Sequence, residues 1–401
     1  MNGHNIKLQH LETQYELHQK LFREPILRQL FFELTLRCNE HCWHCGSRCG
    51  DVKASEMGPY EWKRILDDVK ENFADNLPQI NVTGGEPLLY PYFEEVMSYA
   101  HELGFKWGMT SNAVLITKDV AGMLSSCGMG TISVSIDGLR DTHDAQRGLT
   151  GAYDKAMAGI QNLIDNGSFK HIMVTTVINH ETMKELEPLY EIMCGLDIDS
   201  WRVIGVEPIG RALERPELLM TAADQKALME FIHSKRAENM PVSYGCSHFL
   251  GTFYEREVRD WYFFCLAGVT TASITSTGDV TACLDIDRNQ PGVVQGNVLR
   301  SCGYDSDGDC DELKSGICDA VGDESASSDS DSKHIGNCSS NRARRFSEIW
   351  RDEFKIYRYD KSEDDEKCRT CESRRYCLGG ACHTWDYARG EQRVCLLDAL
   401  C

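Results

Sequence analysis

Cys38, Cys42 and Cys45 stand at CxxxCxxC spacing just after an apolar run, Leu30 to Leu34, that reads as a β-strand. Three thiolates on one loop can hold three irons of a four-iron, four-sulfur cube and leave the fourth iron without a protein ligand. An iron with a vacant position is a place for chemistry. The same thiols could also bind zinc or stand idle in a cysteine-rich chain, so the surrounding residues have to decide.

The next predicted strand, Gln79 to Thr83, runs straight into Gly84, Gly85, Glu86 and Pro87. Adjacent glycines let backbone come close to a ligand, and a glutamate offers an acceptor to an ammonium group. With His44 in front of the third cysteine, these residues resemble the radical SAM superfamily. The resemblance implies a 4Fe-4S cluster on Cys38, Cys42 and Cys45, with S-adenosylmethionine chelating the open iron through its amino and carboxylate groups. An electron from that cluster would split the sulfonium into methionine and a 5′-deoxyadenosyl radical, which abstracts a hydrogen atom. Ser135 through Asp137 and Gly138 to His143, Asp144, Arg147 and Gly148 looks like a pattern of peptide-modifying members. It implies that Ser135 and Arg147 contact S-adenosylmethionine, the guanidinium fork reaching its carboxylate. The plainer alternative is an ion pair from Arg147 to Asp144 or Asp141. Ser111 and Asn112, after the third predicted strand, fit either a cofactor contact or ordinary turn chemistry.

The elements that must position these residues follow a repeating order. Trp62, Ile65, Leu66, Val69 and Phe73 recur at helical spacing behind Gly58 and Pro59. Phe93, Val96, Met97, Ala100 and Leu103 predict a helix, Phe105 to Thr110 a strand, Thr117 to Ser126 a helix and Thr131 to Ile136 a strand. Ala156, Ile160, Leu163 and Ile164 mark a helix stopping at Gly167, and His171 to Ile178 is a β-branched strand. A helix over Met183 to Cys194, a strand over Trp201 to Val206 and a helix opened by a Thr221-to-Asp224 capping box complete six strand–helix units. Such alternation predicts an α/β fold with a parallel sheet. Six units resemble the partial (β/α)6 TIM-like barrel of radical SAM cores, in which ligands gather at the carboxyl ends of strands.

Cysteines resume near the other end. Cys265 and Cys283 straddle Gly278, and Cys368, Cys371, Cys377, Cys382 and Cys395 follow. This order resembles the SPASM extension, a small cysteine-rich α+β domain with auxiliary iron–sulfur clusters. A zinc ribbon could use Cys368, Cys371, Cys377 and Cys382 but leaves Cys265 and Cys283 unexplained. The resemblance implies one auxiliary cluster on Cys265, Cys283 and Cys382 and another on Cys368, Cys371, Cys377 and Cys395. Two departures stand out. Four residues separate Cys377 from Cys382 where relatives have three, and Thr271 occupies the position at which fully ligated relatives carry a further cysteine. The first auxiliary cluster is therefore expected to have an open or non-cysteine site.

The expected organisation is a helical lead-in over 1–28, too short for a separate peptide-binding domain, then a core barrel over 29–238. A bridge over 239–264 carries Cys246, and the cysteine-rich domain spans 265–401. Residues 301–340 insert ten Asp or Glu, two Lys and four cysteines, Cys302, Cys310, Cys318 and Cys338. Low hydrophobicity makes this a solvated loop. Asp305, Asp307 and Asp309 suggest a calcium loop, but Cys310 and Gly316 occupy its obligatory glycine and glutamate positions. Glu207, Asp285 and Asp287 could approach the barrel mouth, though a solvated carboxylate is the simpler reading.

Nineteen cysteines in 401 residues, without an apolar signal segment or bilayer-spanning run, fit cluster ligands in a reducing cytoplasm better than a secreted disulfide scaffold. A net charge of −20 argues against nonspecific nucleic-acid binding. The resemblance points to an enzyme acting on a ribosomally made peptide or protein by crosslinking, epimerisation or oxidation. It also implies an external electron donor such as flavodoxin or ferredoxin. Two alternatives remain: a radical SAM oxidoreductase acting on a small molecule or tetrapyrrole, and a noncatalytic iron–sulfur or zinc protein.

Overall fold

A computed structural model describes residues 3–50, 55–238, 241–245, 248–300 and 343–400. Cys246, the 301–340 insertion, its four cysteines and the rejected calcium loop lie outside the described residues. Helix α1 (Gly3–Arg23) leads to β1 (Gln29–Thr35), α2 (Pro59–Asn72), β2 (Gln79–Gly84), α3 (Phe93–Glu102), β3 (Trp107–Ser111) and α4 (Lys118–Ser126). Then come β4 (Met129–Ser135), α5 (Arg140–Arg147), α6 (Ala152–Asn166), β5 (His171–Ile178), α7 (Leu186–Cys194), β6 (Ser200–Gly205) and α8 (Ala222–Ala237). Strands β1 to β6 pair in sequence order and in parallel. These are the six alternating units of the core.

Local chemistry explains the boundaries. Gly58 caps α2 with Pro59 in its first turn, and Trp62, Leu66 and Val69 are fully buried on its inner face. Each such side chain contributes roughly 1.5–3 kcal/mol by leaving water. Thr221 and Asp224 exchange the two hydrogen bonds of a capping box at the start of α8. The third strand begins at Trp107 rather than Phe105, because the Phe105 N–H still closes α3 on the Ala100 carbonyl. In β5 burial alternates strictly, with Ile172, Val174, Thr176 and Ile178 covered by helices. The opposite face of β5 is only half-buried.

Beyond α8 the expected bridge is more than a linker. Strand β7 (Val242–Tyr244) pairs in parallel with β6 and extends the sheet, and α9 (Gly251–Tyr254) follows. At the other edge β8 (Thr271–Ile274) pairs in parallel with β1, then β9 (Asp279–Thr281) and β10 (Gly296–Asn297) add antiparallel. The hairpin between Cys265 and Cys283 is thereby hydrogen-bonded to the strand that launches the first cysteine loop. Past α10 (Phe346–Asp352), the short helices α11 (Glu366–Thr370) and α12 (Arg374–Cys377) carry Cys368 and Cys377, and Cys371 caps α11. No described helix is long and apolar enough to cross a membrane.

Helix α1 does not simply lead into the barrel. Leu11 packs with Phe249, Phe263 and Ala381, Glu12 accepts from Arg375 and Tyr376, and Lys7 pairs with Glu257. The His18 ring stacks on Phe264 with centroids 3.5 Å apart and is almost fully buried. That burial pushes its pKa down to about 3 from an ordinary 6.5, so the folded form holds it neutral. Below pH 6.5 the unfolded chain takes up a proton that the folded chain refuses. The His18 contribution to stability is thus complete above that pH and declines until about pH 3. Replacing His18 with Phe should flatten this part of the acid-side loss, read as the variant-minus-parent difference in unfolding free energy across pH.

Candidate active site

The loop after β1 bears Cys38, Cys42 and Cys45, and three strand ends grip it. From the β2 side, the Gly85 and Glu86 N–H groups donate to the Thr35 and Arg37 carbonyls at 2.7 and 2.8 Å. Backbone lies so close here that a Cβ on Gly84 would meet the Thr35 oxygen at 2.2 Å, and one on Gly85 the Arg37 oxygen at 2.0 Å. The paired glycines therefore serve the approach of two loops. From the β6 side, a Cβ on Gly210 would stand 2.2 Å from the Cys45 carbonyl, and φ there is +54°. Buried Arg211 donates to the Cys42 carbonyl at 2.8 Å and the Cys49 carbonyl at 3.0 Å.

The third grip is ionic. Arg147, at the end of α5, donates to Asp137 at 2.7 Å and to Glu40 at 3.0 Å, while Asp137 also meets the His44 ring at 3.2 Å. Arg147 and both carboxylates are buried. Burial alone would push Asp137 up, but the Arg147 and His44 charges hold it far below the usual carboxylate range. Glu40 goes the other way, raised by burial against the pull of Arg147. Two carboxylates from different segments thus share one guanidinium. Arg147 pairs with neither Asp144 nor Asp141 as the plainer reading had it; Asp144 instead accepts from the Gly151 and Tyr153 backbone. Its fork is also already occupied by protein carboxylates.

Glu86 is similarly engaged. It is fully buried and accepts from the Ser111 hydroxyl at 3.0 Å and the Asn112 N–H at 2.9 Å, with burial raising its pKa to about 7. Asn112 in turn donates its side-chain amide to Asn39 in the cysteine loop at 2.7 Å. Ser135 ends β4 half-buried, opposite Thr175. Gly84, Gly85, Ser111, Asn112 and Ser135 all sit at carboxyl ends of strands around the loop.

The thiols suit a cationic centre. Burial pushes Cys38 up to about 11 and Cys42 up to about 12, and both sense the charge of Cys45. Cys45 is lowered by hydrogen bonding from Cys49. Iron binding releases such thiol protons and replaces a costly buried anion with a metal–sulfur bond. Sequence reasoning missed Cys49, Gly210 and Arg211. The CxxxC continuation after Cys45 and the Pro208-Ile209-Gly210-Arg211 turn after β6 were the available signals.

Two further thiol groups form in the carboxyl-terminal region. Cys265, Cys283 and Cys382 all lie near enough to Tyr357 to raise its phenol, and the Cys382 N–H meets the Cys265 sulfur at 3.4 Å. Cys368, Cys371 and Cys395 all act electrostatically on Cys377. Thr271 opens β8 with its hydroxyl buried and without a hydrogen-bond partner among the described residues. An orphaned oxygen in this position fits a site awaiting a further group. Lys361 is 4% exposed and donates to the Cys382 sulfur at 3.2 Å, with no carboxylate partner among the described residues. A buried ammonium aimed at thiol sulfur fits an anionic cluster.

Of the carboxylates near the mouth, Asp285 and Asp287 are exposed. Glu207 is not. It lies two residues past β6 and meets His248 at 3.0 Å and His383 at 3.7 Å, a correction to its reading as a solvated side chain.

Residues 32–193 match the radical SAM superfamily. An AdoMet-dependent heme synthase of Methanosarcina barkeri is 29% identical over 214 residues, covering 53% of this chain and 59% of that enzyme. Mycofactocin maturase MftC of Mycobacterium tuberculosis is 30% identical over 280 residues, covering 69% of this chain and 68% of the relative. Among solved structures, Streptococcus suis SuiB bound to S-adenosylmethionine superposes with a TM-score of 0.65 at 17% identity, covering 93% of this chain and 77% of SuiB.

The ionic grip makes a testable demand. Arg147→Met leaves Asp137 and Glu40 buried without their cation, so unfolding free energy in denaturant should fall by about 3–5 kcal/mol. Arg147→Lys should recover only part of it, because one ammonium cannot span both carboxylates with the same fork.

Proposed function

Since this chain belongs to the radical SAM superfamily, its chemistry rests on S-adenosylmethionine and a 4Fe-4S cluster, and we propose that it modifies a ribosomally made peptide or protein. When bound, the cluster and S-adenosylmethionine supply an electron and a carbon-centred radical that takes a hydrogen atom from the substrate. The observation that carries the reading is the triplet of Cys38, Cys42 and Cys45 on a loop gripped from three strand ends. These thiols would hold the cluster. Gly84 and Gly85 through their backbone, with Asn112 and Ser135, would line the S-adenosylmethionine pocket. Glu86 and Arg147 would fix its walls from behind, since their polar groups are spent on Ser111, Asn112, Glu40 and Asp137.

The peptide substrate is supported by the extent of similarity to MftC, which covers about two thirds of both chains. The two carboxyl-terminal thiol groups are read as auxiliary clusters, one on Cys265, Cys283 and Cys382 with an open or non-cysteine position, the other on Cys368, Cys371, Cys377 and Cys395. Their role would be to carry electrons between the substrate and a donor such as flavodoxin or ferredoxin. The domain reading is a core over 29–238, a bridge over 239–264 and an auxiliary-cluster region over 265–401. Similarity to heme synthases favours tetrapyrroles as a second substrate class.

Anaerobic incubation of the reconstituted enzyme with the peptide encoded beside its gene, read by mass spectrometry, should yield a mass change on the peptide. A mass change on an iron porphyrin and none on any neighbouring peptide would establish the second class. Reconstitution should give about twelve irons per chain, on four irons per cluster. Cys42→Ala should lose about four of these and all release of 5′-deoxyadenosine. Lys361→Met should lower the midpoint potential of the cluster at Cys382 in an EPR-monitored titration, because a buried positive charge favours the reduced, more negative cluster. Lys361→Arg should largely restore it.

A further inference from the structure

Glu207, His248 and His383 come from three distant segments and meet in one largely buried cluster. Glu207 follows β6 at the carboxyl end of the barrel, His248 follows β7, and His383 comes immediately after Cys382. Their side chains are 13%, 3% and 13% exposed. Nε2 of His248 faces both Glu207 oxygens at 3.0 and 3.2 Å, and Nε2 of His383 faces Oε2 at 3.7 Å. The two rings stand 5.9 Å apart at 60°, so their nitrogens converge on the carboxylate instead of stacking. One ligand atom from each residue lies within 4.8 Å of the others.

The supports behind this cluster are equally specific. Arg259, fully buried, donates to the His248 carbonyl at 2.6 Å and pairs with Glu255. Glu255 in turn accepts from the Leu250 and Phe263 N–H groups at 3.0 and 2.9 Å. A buried ion pair with satisfied lone pairs thus fixes the backbone that carries His248. His383 is set by its neighbour Cys382, and Glu207 by the turn that leads to the Gly210–Arg211 grip. The Asp285 carboxylate adds negative charge beside His383.

Two imidazoles and one carboxylate make a common donor set for a first-row divalent ion, with coordination positions left open. Ligands at about 2.0–2.2 Å from one ion lie roughly 3–3.5 Å from each other. The separations here need little change to meet that.

We propose that Glu207, His248 and His383 form a mononuclear divalent-metal site, distinct from the cysteine-held clusters. An ion there stands between the barrel mouth and the cysteine-rich region. Its open positions can take an oxygen, nitrogen or sulfur donor of a substrate. Neither the superfamily chemistry nor the auxiliary clusters require it, so its presence stands or falls independently of the proposed peptide reaction.

Zinc serves as the probe because its absorption edge is separate from that of cluster iron. The anaerobically reconstituted enzyme is given one equivalent of zinc sulfate, desalted, and measured by elemental analysis and zinc K-edge absorption. The expected result is one zinc per chain, a nitrogen and oxygen shell at about 2.0–2.1 Å with imidazole scattering, and no sulfur shell at about 2.3 Å. Glu207→Gln and His248→Ala should each weaken zinc binding by at least about tenfold, at unchanged cluster iron and circular dichroism. Zinc that fails to stay bound to the parent enzyme, or that shows a sulfur shell, overturns the site. So does undiminished zinc in both variants. The parent spectrum decides the ligand type even if a variant does not fold.

Discussion

One guanidinium shared by two buried carboxylates is the constraint on which the cysteine loop depends. Arg147 closes α5, Asp137 follows β4 and Glu40 lies inside the loop, so the pair of contacts ties a mobile kind of segment to the rigid sheet. Removing three charges from water is expensive, and the arrangement is helped by further donors to Asp137, the Val177 N–H and His44. Such a network tolerates few alternative loop conformations. The thiols beside it are accordingly held where a cluster can form, at a cost offset elsewhere in the core.

The rest of the molecule extends the same logic by backbone pairing. Strand β8 continues the sheet from β1, and β7 continues it from β6, so Cys265 and Cys283, which flank the β8–β9 hairpin, are referenced to the first loop through a hydrogen-bonded ladder. Gly84, Gly85 and Gly210 then remove the side chains that would keep neighbouring loops apart. Sheet register and backbone proximity thus fix distances between groups far apart in sequence.

Much of this was legible in the residues. The six strand–helix units followed from apolar periodicity, and the Thr221–Asp224 cap is present as read. The cysteine triplet and GGEP segment carried the superfamily chemistry because their spacing encodes local geometry. What escaped depended on long-range contact. The partners of Arg147 come from Glu40 and Asp137, not from its own helix. Glu207 resembled any surface carboxylate until His248 and His383 met it from 41 and 176 positions away. A three-residue strand such as β7 is too short to show a period. The glycines of the GGEP segment were read as letting backbone approach a ligand; their close approach to the preceding loop was not legible in the sequence.

Helix α1 is seated by residues far later in the chain, Lys7 on Glu257 being separated by 250 positions and Glu12 on Arg375 by 363. During synthesis, at about 5–20 residues per second, it therefore emerges long before its seat exists. For more than about ten seconds at that rate, the apolar face around Leu11 has no native cover from Phe249 and Phe263, and its contact with Ala381 in the cysteine-rich segment can form only later still. Docking of α1 is thus a late event of maturation.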